Sequence, residues 1–389
     1  LWSAREHRLV GLNASGRSPE SLSFETLTSR GIKYLPPFGP LPVSVPGCVD
    51  GWSMLHQSYG QLPFSELLKP AITYATKGFP VSEVIAWEMA HNAQNLRAFD
   101  GFADVFLHNG EPPGKGQIFR NPGLADAYRL IAEDGREGFY KGPIATAIDT
   151  YMREAGGYLT LKDLAQHKSD WVDPVGATYR GHTLWELPPN GQGIAAQQIL
   201  KMLEQFDIRA LGQLSVDYVH NLVEAKKLAF ADRARFYADP QFNTIPVSTL
   251  ISESYNRTRS QLIDQSQCMQ LIEPGNPFLD DGDTVYLTTA DEEGNMVSLI
   301  QSNYRGMGSG LVPTNLGFML QDRGELFSLQ KGHANTYAPG KRPFHTIIPG
   351  FMTKNGIPLM SFGVMGGDFQ PMGHVQIVMN IVDFGMTLQ

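Results

Sequence analysis

Cysteine is nearly absent from this chain: Cys48 and Cys268 are the only two in 389 residues. Two thiols make no disulfide framework, and their neighbours show no metal-ligand spacing. The ten histidines are scattered and form no HExxH-like cluster, which argues against a metal-dependent amidase. No run of about 18 apolar residues occurs, so a membrane-spanning helix is not expected. Lys/Arg-rich runs are missing too, and the net charge of −8 leaves no electrostatic footprint for nucleic acid. Internal repeats and low-complexity tracts are also lacking. The opening Leu1–Val10, with Arg5, Glu6, His7 and Arg8, is no signal peptide. What is present is a hydrophobic fraction of 42 %, enough for a sizeable core in one large domain or two ordinary ones. Asn13-Ala14-Ser15 and Asn256-Arg257-Thr258 match the glycosylation triplet, a weak signal by itself.

Along the chain, residues 1–48 read as extended and loop-rich, with Pro36, Pro37, Pro40, Pro42 and Pro46 breaking helices. Residues 49–100 read as helical, with a helix start at Pro63–Leu68, and residues 101–124 as loop. Ala195, Ile199, Met202, Leu203 and Phe206 recur on one helical face within 194–206. Ser215 is a plausible N-cap for a helix through 236, with Lys226, Lys227, Arg233 and Arg235 mainly off its apolar stripe. From 239 to 283, Pro, Gly and an Asp280-Asp281-Gly282-Asp283 run predict an exposed, flexible segment. From 284 onward the pattern is strands and turns.

The segments 284–290 and 296–302 are rich in Val, Thr, Tyr, Leu and Ile, around turn residues Gly294-Asn295. A turn centred on Glu293 pairs residue i with 586−i and puts Thr284 opposite Ser302. A Thr at the start of such a strand suits a hydrolase that cuts its own chain and uses the new N-terminal residue. Cleavage of Asp283–Thr284 would give Thr284 a free amine of pKa about 7.7–8, able to take the proton of its own hydroxyl. The flexible segment before it would leave the scissile carbonyl free to distort.

With further motifs, the chain resembles the γ-glutamyltranspeptidase (glutathione hydrolase) family. They run from Gly11–Pro19 through Gly156–Thr160, Tyr179-Arg180-Gly181, Leu228–Ala234 and Lys341-Arg342-Pro343 to Met365-Gly366-Gly367. The resemblance implies an α+β fold, a four-layer αββα sandwich of the N-terminal nucleophile type, with no cofactor. Residues 1–283 would form a large-subunit region and 284–389 a small-subunit region, together one structural domain. It also implies a chain partial at both ends, with the compartment open between cytoplasm and periplasm or secretion. The partners expected are a small-molecule amide, the two fragments of one precursor and, where the chain self-associates, a homo-oligomer.

Carried over residue by residue, the resemblance makes Thr284 the nucleophile and Asp283–Thr284 the autocleavage bond. Ser302 supports the nucleophile's hydroxyl where most relatives have Thr. Gly366 and Gly367 supply an oxyanion hole. Arg17 holds a substrate carboxylate. The departures bear on substrate. In Gln321–Ser328, the Asp that binds the donor's ammonium is replaced by Leu326, with Glu325 and Asp322 nearby. His345-Thr346 replace a Ser pair, and Tyr304 stands for a substrate-contacting Asn, beside Asn303. The amide-cleaving set is retained while ammonium recognition is lost, which points to the acylase-like branch. Three functions follow: a γ-glutamyl-type amidohydrolase or transferase, a glutaryl- or cephalosporin-type acylase or other small-amide hydrolase, and an unprocessed binding or scaffold protein.

Overall fold

The computed structural model describes residues 1–270 and 282–388. Two four-stranded antiparallel sheets form the centre. The first, in order β2-β1-β6-β5, joins Trp2–Ser3 (β1), Arg8–Leu9 (β2), Gly282–Ala290 (β5) and Met296–Arg305 (β6). The second, in order β8-β7-β4-β3, joins Val175–Tyr179 (β3), His182–Glu186 (β4), Gly350–Lys354 (β7) and Ile357–Phe362 (β8). The sheets face each other. Ser298 donates to the Gly350 carbonyl at 2.9 Å, the Thr288 and Ser361 hydroxyls meet, and Trp2 stacks on Phe351. A Cβ on Gly363 would come within 2.5 Å of the Tyr286 ring, so the close approach at this point requires glycine.

Helices cover both sheets, completing a four-layer αββα sandwich of the N-terminal nucleophile hydrolase type. On the outer face of the second sheet lie Gly193–Leu203 (α3), Val216–Phe236 (α4) and Gln370–Val382 (α5). Ile199, Leu200, Leu203, Leu222, Leu228, Val375 and Met379 make one core there with Leu184, Met352 and Phe362. The helix near the first sheet is Cys48–Tyr59 (α1), backed by Pro122–Tyr140 (α2), and Trp52 Nε1 donates to Gln301 Oε1 at 3.2 Å. A second core lies there around Val45, Val49, Ile131, Tyr140, Ile144 and Leu320. Among the described residues no helix is long and apolar enough to cross a membrane.

The two helices expected from periodicity form where the pattern places them. Ser215 caps α4 by accepting from the Tyr218 N–H at 3.1 Å. Arg233, expected mainly off the apolar stripe of α4, is nonetheless buried and donates to Gln192 and Asp368. Other local expectations need correction. The stretch 370–382 reads as strand and turn but forms α5, because Pro371 sits in the first turn, where its missing N–H costs nothing. Short helices also interrupt the loops expected at 1–48 and 101–124, at Phe24–Ser29 and Asp100–Phe106. Two more, Val247–Leu250 and Glu253–Ser260, occupy part of the segment expected to be flexible, of which 271–281 lies outside the described residues. Asn256 is fully buried and donates to Leu250 and Ser252, so its triplet is not an accessible glycosylation site.

Candidate active site

The register of the β5–β6 hairpin follows the 586 sum from Met296↔Ala290 to Gln301↔Val285. It then shifts by one, so the next pair is Tyr304↔Asp283. Ser302 and Asn303 therefore share the place opposite Thr284, a bulge rather than the single facing pair expected from the turn. Bulges re-aim side chains, and this one carries Tyr304 at φ 85°, a left-handed value uncommon for a bulky residue. The Ser302 hydroxyl is turned back to accept from the Tyr304 N–H at 2.8 Å. Asn303 Nδ2 donates to the Met307 carbonyl, and the Asn303 carbonyl accepts from Asp322 N–H. Gly282 and Asp283 already belong to β5, so the loop expected immediately before Thr284 is not there at these two positions.

Thr284 is buried and lines a cavity of about 700 Å³. Ser302, Asn303, Arg323 and His345 line the same cavity, whose wall is otherwise largely apolar, with Trp52, Phe139, Trp171 and Phe318. Volume and lining are those of a small-molecule site. Arg323, which the sequence reading passed over, is the Lys or Arg side chain on this wall among the described residues. Its guanidinium donates to Thr346 Oγ1 at 3.1 Å, reaches the Ser302 carbonyl at 3.5 Å and stacks over the Tyr304 ring. Burial lowers its pKa to about 10, so it stays a cation at neutral pH.

The remaining expected residues fall in four places. His345 is buried beside the cavity, its Nδ1 without a hydrogen-bond partner among the described residues. Burial, with Arg323 and Arg342 adding to it, lowers its pKa to about 3, so the ring is neutral. Thr346 is buried and holds Arg323. Gly366 and Gly367, at φ 106° and 51°, open a single turn, Gly367–Phe369, that packs against β5. A polar chain supports that turn: Asp368 and Gln192 accept from Arg233, and Gln192 donates to the Gly367 carbonyl at 2.9 Å.

Glu325 is buried and committed to Arg305 at 2.6 and 2.7 Å. Asp322 is fully buried and accepts from Arg305 N–H, and burial raises its pKa well above the ordinary carboxylate range. Arg17 is not on the cavity wall. Its guanidinium is tied to Asp239 at 3.2 Å and to the Gly340 carbonyl, with Asp170 at 3.9 Å. The sequence separates Arg17 and Arg323 by role only through family position, whereas the fold separates them by place.

Residues 1–389 match the γ-glutamyltranspeptidase family. The glutathione hydrolase-like YwrD proenzyme of Bacillus subtilis (strain 168) is 36 % identical over 97 % of this chain and 71 % of its own length. The oxamate amidohydrolase proenzyme of Klebsiella pneumoniae is 33 % identical over 98 % of this chain and 72 % of its own. The crystal structure of a cephalosporin acylase from Bacillus halodurans superposes with a TM-score of 0.93 at 42 % identity, covering 99 % of this chain and 71 % of that one. The chain therefore belongs to the γ-glutamyltranspeptidase family, whose glutathione hydrolase and acylase members share its fold.

Proposed function

We propose that this protein is an autoprocessing amidohydrolase that uses Thr284 as its N-terminal nucleophile. The observation that carries the reading is Thr284 itself, buried as the third residue of β5 on the wall of the cavity, with the Ser302–Asn303 bulge opposite. In the precursor, the Thr284 hydroxyl attacks the Asp283 carbonyl, and the amide nitrogen leaves as the free amine of Thr284. Water then opens the resulting ester. In the mature enzyme that amine accepts the hydroxyl proton as Oγ1 attacks the substrate amide. The departing amine takes the proton, and an acyl-Thr284 ester remains. Water resolves it in hydrolysis, or an amino-acid or peptide amine does in transfer. Gly366 and Gly367 are assigned to the developing oxyanion, with the Arg233–Gln192 chain keeping their turn in place.

For the acyl group, the acylase-like reading is favoured over a γ-glutamyl donor. Leu326 occupies the ammonium-binding position, Glu325 is spent on Arg305, and Asp322 is sealed inside. None of the three offers a free carboxylate to an α-ammonium. Arg323 supports recognition of a carboxylate instead, and the apolar wall suits a carbon chain. The substrate class is thus an amide whose acyl part bears a carboxylate and no α-amine. Intact mass spectrometry with N-terminal sequencing of the purified protein tests the first step. Two co-purifying fragments, the smaller beginning at Thr284, are expected, followed by faster turnover of glutaryl than γ-glutamyl amides. A chain that stays uncut on long incubation would sink the enzyme reading and favour an unprocessed binding protein.

A further inference from the structure

Away from the cavity, residues 264–269 lie along α4 and are tied to it by side chains of successive turns. His220 Nε2 lies 2.7 Å from the Asp264 carbonyl, and Asn221 and Gln265 exchange amide hydrogen bonds. Glu224 accepts from Met269 N–H at 2.9 Å, and Lys227 donates both to Glu224 and to the Met269 carbonyl. This path carries Cys268 back over the helix. One donor atom from each of His220, Glu224 and Cys268 lies within 4.8 Å of the other two.

We propose that these three side chains bind a zinc-class divalent cation, which fastens residues 264–269 to α4. Three features of the cluster support this. The first is spacing. His220 Nδ1 and Cys268 Sγ are 3.9 Å apart, and two ligands of one tetrahedral zinc, at about 2.05 and 2.3 Å from it, stand about 3.6 Å apart. For this pair a side-chain adjustment of a few tenths of an ångström reaches ligand spacing, and the Glu224 carboxylate, within 4.8 Å of both, moves inward to complete the set. The second is orientation. With Nε2–H directed at the Asp264 carbonyl, Nδ1 is the ring nitrogen that faces the thiol; such an outer hydrogen bond is the usual partner of a metal-bound imidazole. The third is the donor set. A thiolate, an imidazole and a carboxylate select zinc over the oxygen-seeking magnesium and calcium.

Glu224 is fully buried, and its carboxylate has about four acceptor directions, of which Lys227 and Met269 use two. Binding displaces the Cys268 thiol proton to solvent, so the site forms more readily as pH rises. Cys268 is exposed, which leaves the fourth position to water. The site owes nothing to chemistry at Thr284, and its sequence separations of 4 and 44 residues hide it from any spacing motif.

Full-length metal-free protein titrated with Zn2+ by calorimetry, and with Co2+ by absorption spectroscopy, tests the site. One equivalent is expected to bind, with a thiolate-to-cobalt charge-transfer band. Cys268→Ser should abolish that band, and Cys268→Ser and His220→Gln should each weaken Zn2+ binding by at least about tenfold, the lower end of what even an outer-shell partner contributes. Cys268→Ser touches an exposed side chain, so it decides the matter even where His220→Gln perturbs the helix. Absence of the cobalt–thiolate band, or unchanged Zn2+ affinity in Cys268→Ser, would overturn the proposal.

Discussion

Thr284 and Arg323 pose different tests at the scale of single residues. Thr284→Ala removes the hydroxyl needed first to cut the chain and then to attack substrate. A single uncut chain with no measurable amidase activity is expected on a denaturing gel and in a substrate assay. Thr284→Ser keeps an oxygen nucleophile and should still process, more slowly. Arg323→Met removes the cavity's cation while leaving the nucleophile in place. Loss of a buried charge-assisted contact costs about 2–5 kcal/mol, so kcat/KM for a carboxylate-bearing amide should fall by roughly 30-fold or more. Turnover of a matched amide lacking the carboxylate should fall far less; equal losses on both would leave Arg323 a packing residue. The β5–β6 hairpin was legible as far as Gln301 because alternating strand residues and a turn determine its register, whereas the roles given to Thr284 and Ser302 came from the family resemblance. Arg323 was not, because its place depends on long-range closure that brings it to Thr346 and the Ser302 carbonyl. For Arg17 the same closure runs the other way, spending the guanidinium on Asp239.

Among the elements, the best-read were those whose pattern carries a repeated apolar face or a local cap. Helix α3 is buried on nearly every side, so it carries much of the outer core. Ile199→Ala there should lower stability by about 2–5 kcal/mol through lost burial and a residual cavity, read as a lower urea midpoint at an unchanged slope. Ser215→Ala removes the cap of α4 and should cost about 1 kcal/mol, a smaller shift in the same experiment. Helix α5 escaped the reading because Pro371 and Gly373 look like turn residues in isolation. The reason for Gly373 is tertiary: a Cβ there would come within 2.6 Å of Val364. The bulge at Ser302–Asn303 was equally hidden, since one extra residue changes neither strand composition nor alternation before it.

For the molecule as a whole, the proposed cut falls inside the sandwich and not between domains. β5 pairs with β6, which pairs in turn with β1 near the chain start, and β7 pairs with β4. Fragments 1–283 and 284–389 should therefore co-elute in native gel filtration and part only on denaturation; separation in native buffer would show that the cut divides the fold. The same burial sets the acid limit of stability. His167 is buried between the Tyr140 ring and Gly47, and burial, reinforced by Arg342, Arg136 and Arg17 and opposed by Asp50, lowers its pKa to about 4. In the unfolded chain a histidine takes its proton near pH 6.5. Between these two values the unfolded state binds the proton and the folded state does not, so stability falls as pH falls. The slope from one such site approaches about 1.4 kcal/mol per pH unit, and it is spent once the folded ring itself protonates near pH 4. His345, lowered to about 3, adds a second such contribution across the same range. His167→Gln has no proton to bind in either state. Whatever its cost at neutral pH, its stability measured by urea unfolding should decline less steeply than that of the unaltered protein from pH 6 to pH 4.5, by close to one proton's worth of slope. Parallel curves would mean that His167 is charged in the folded protein, with Asp50 outweighing burial.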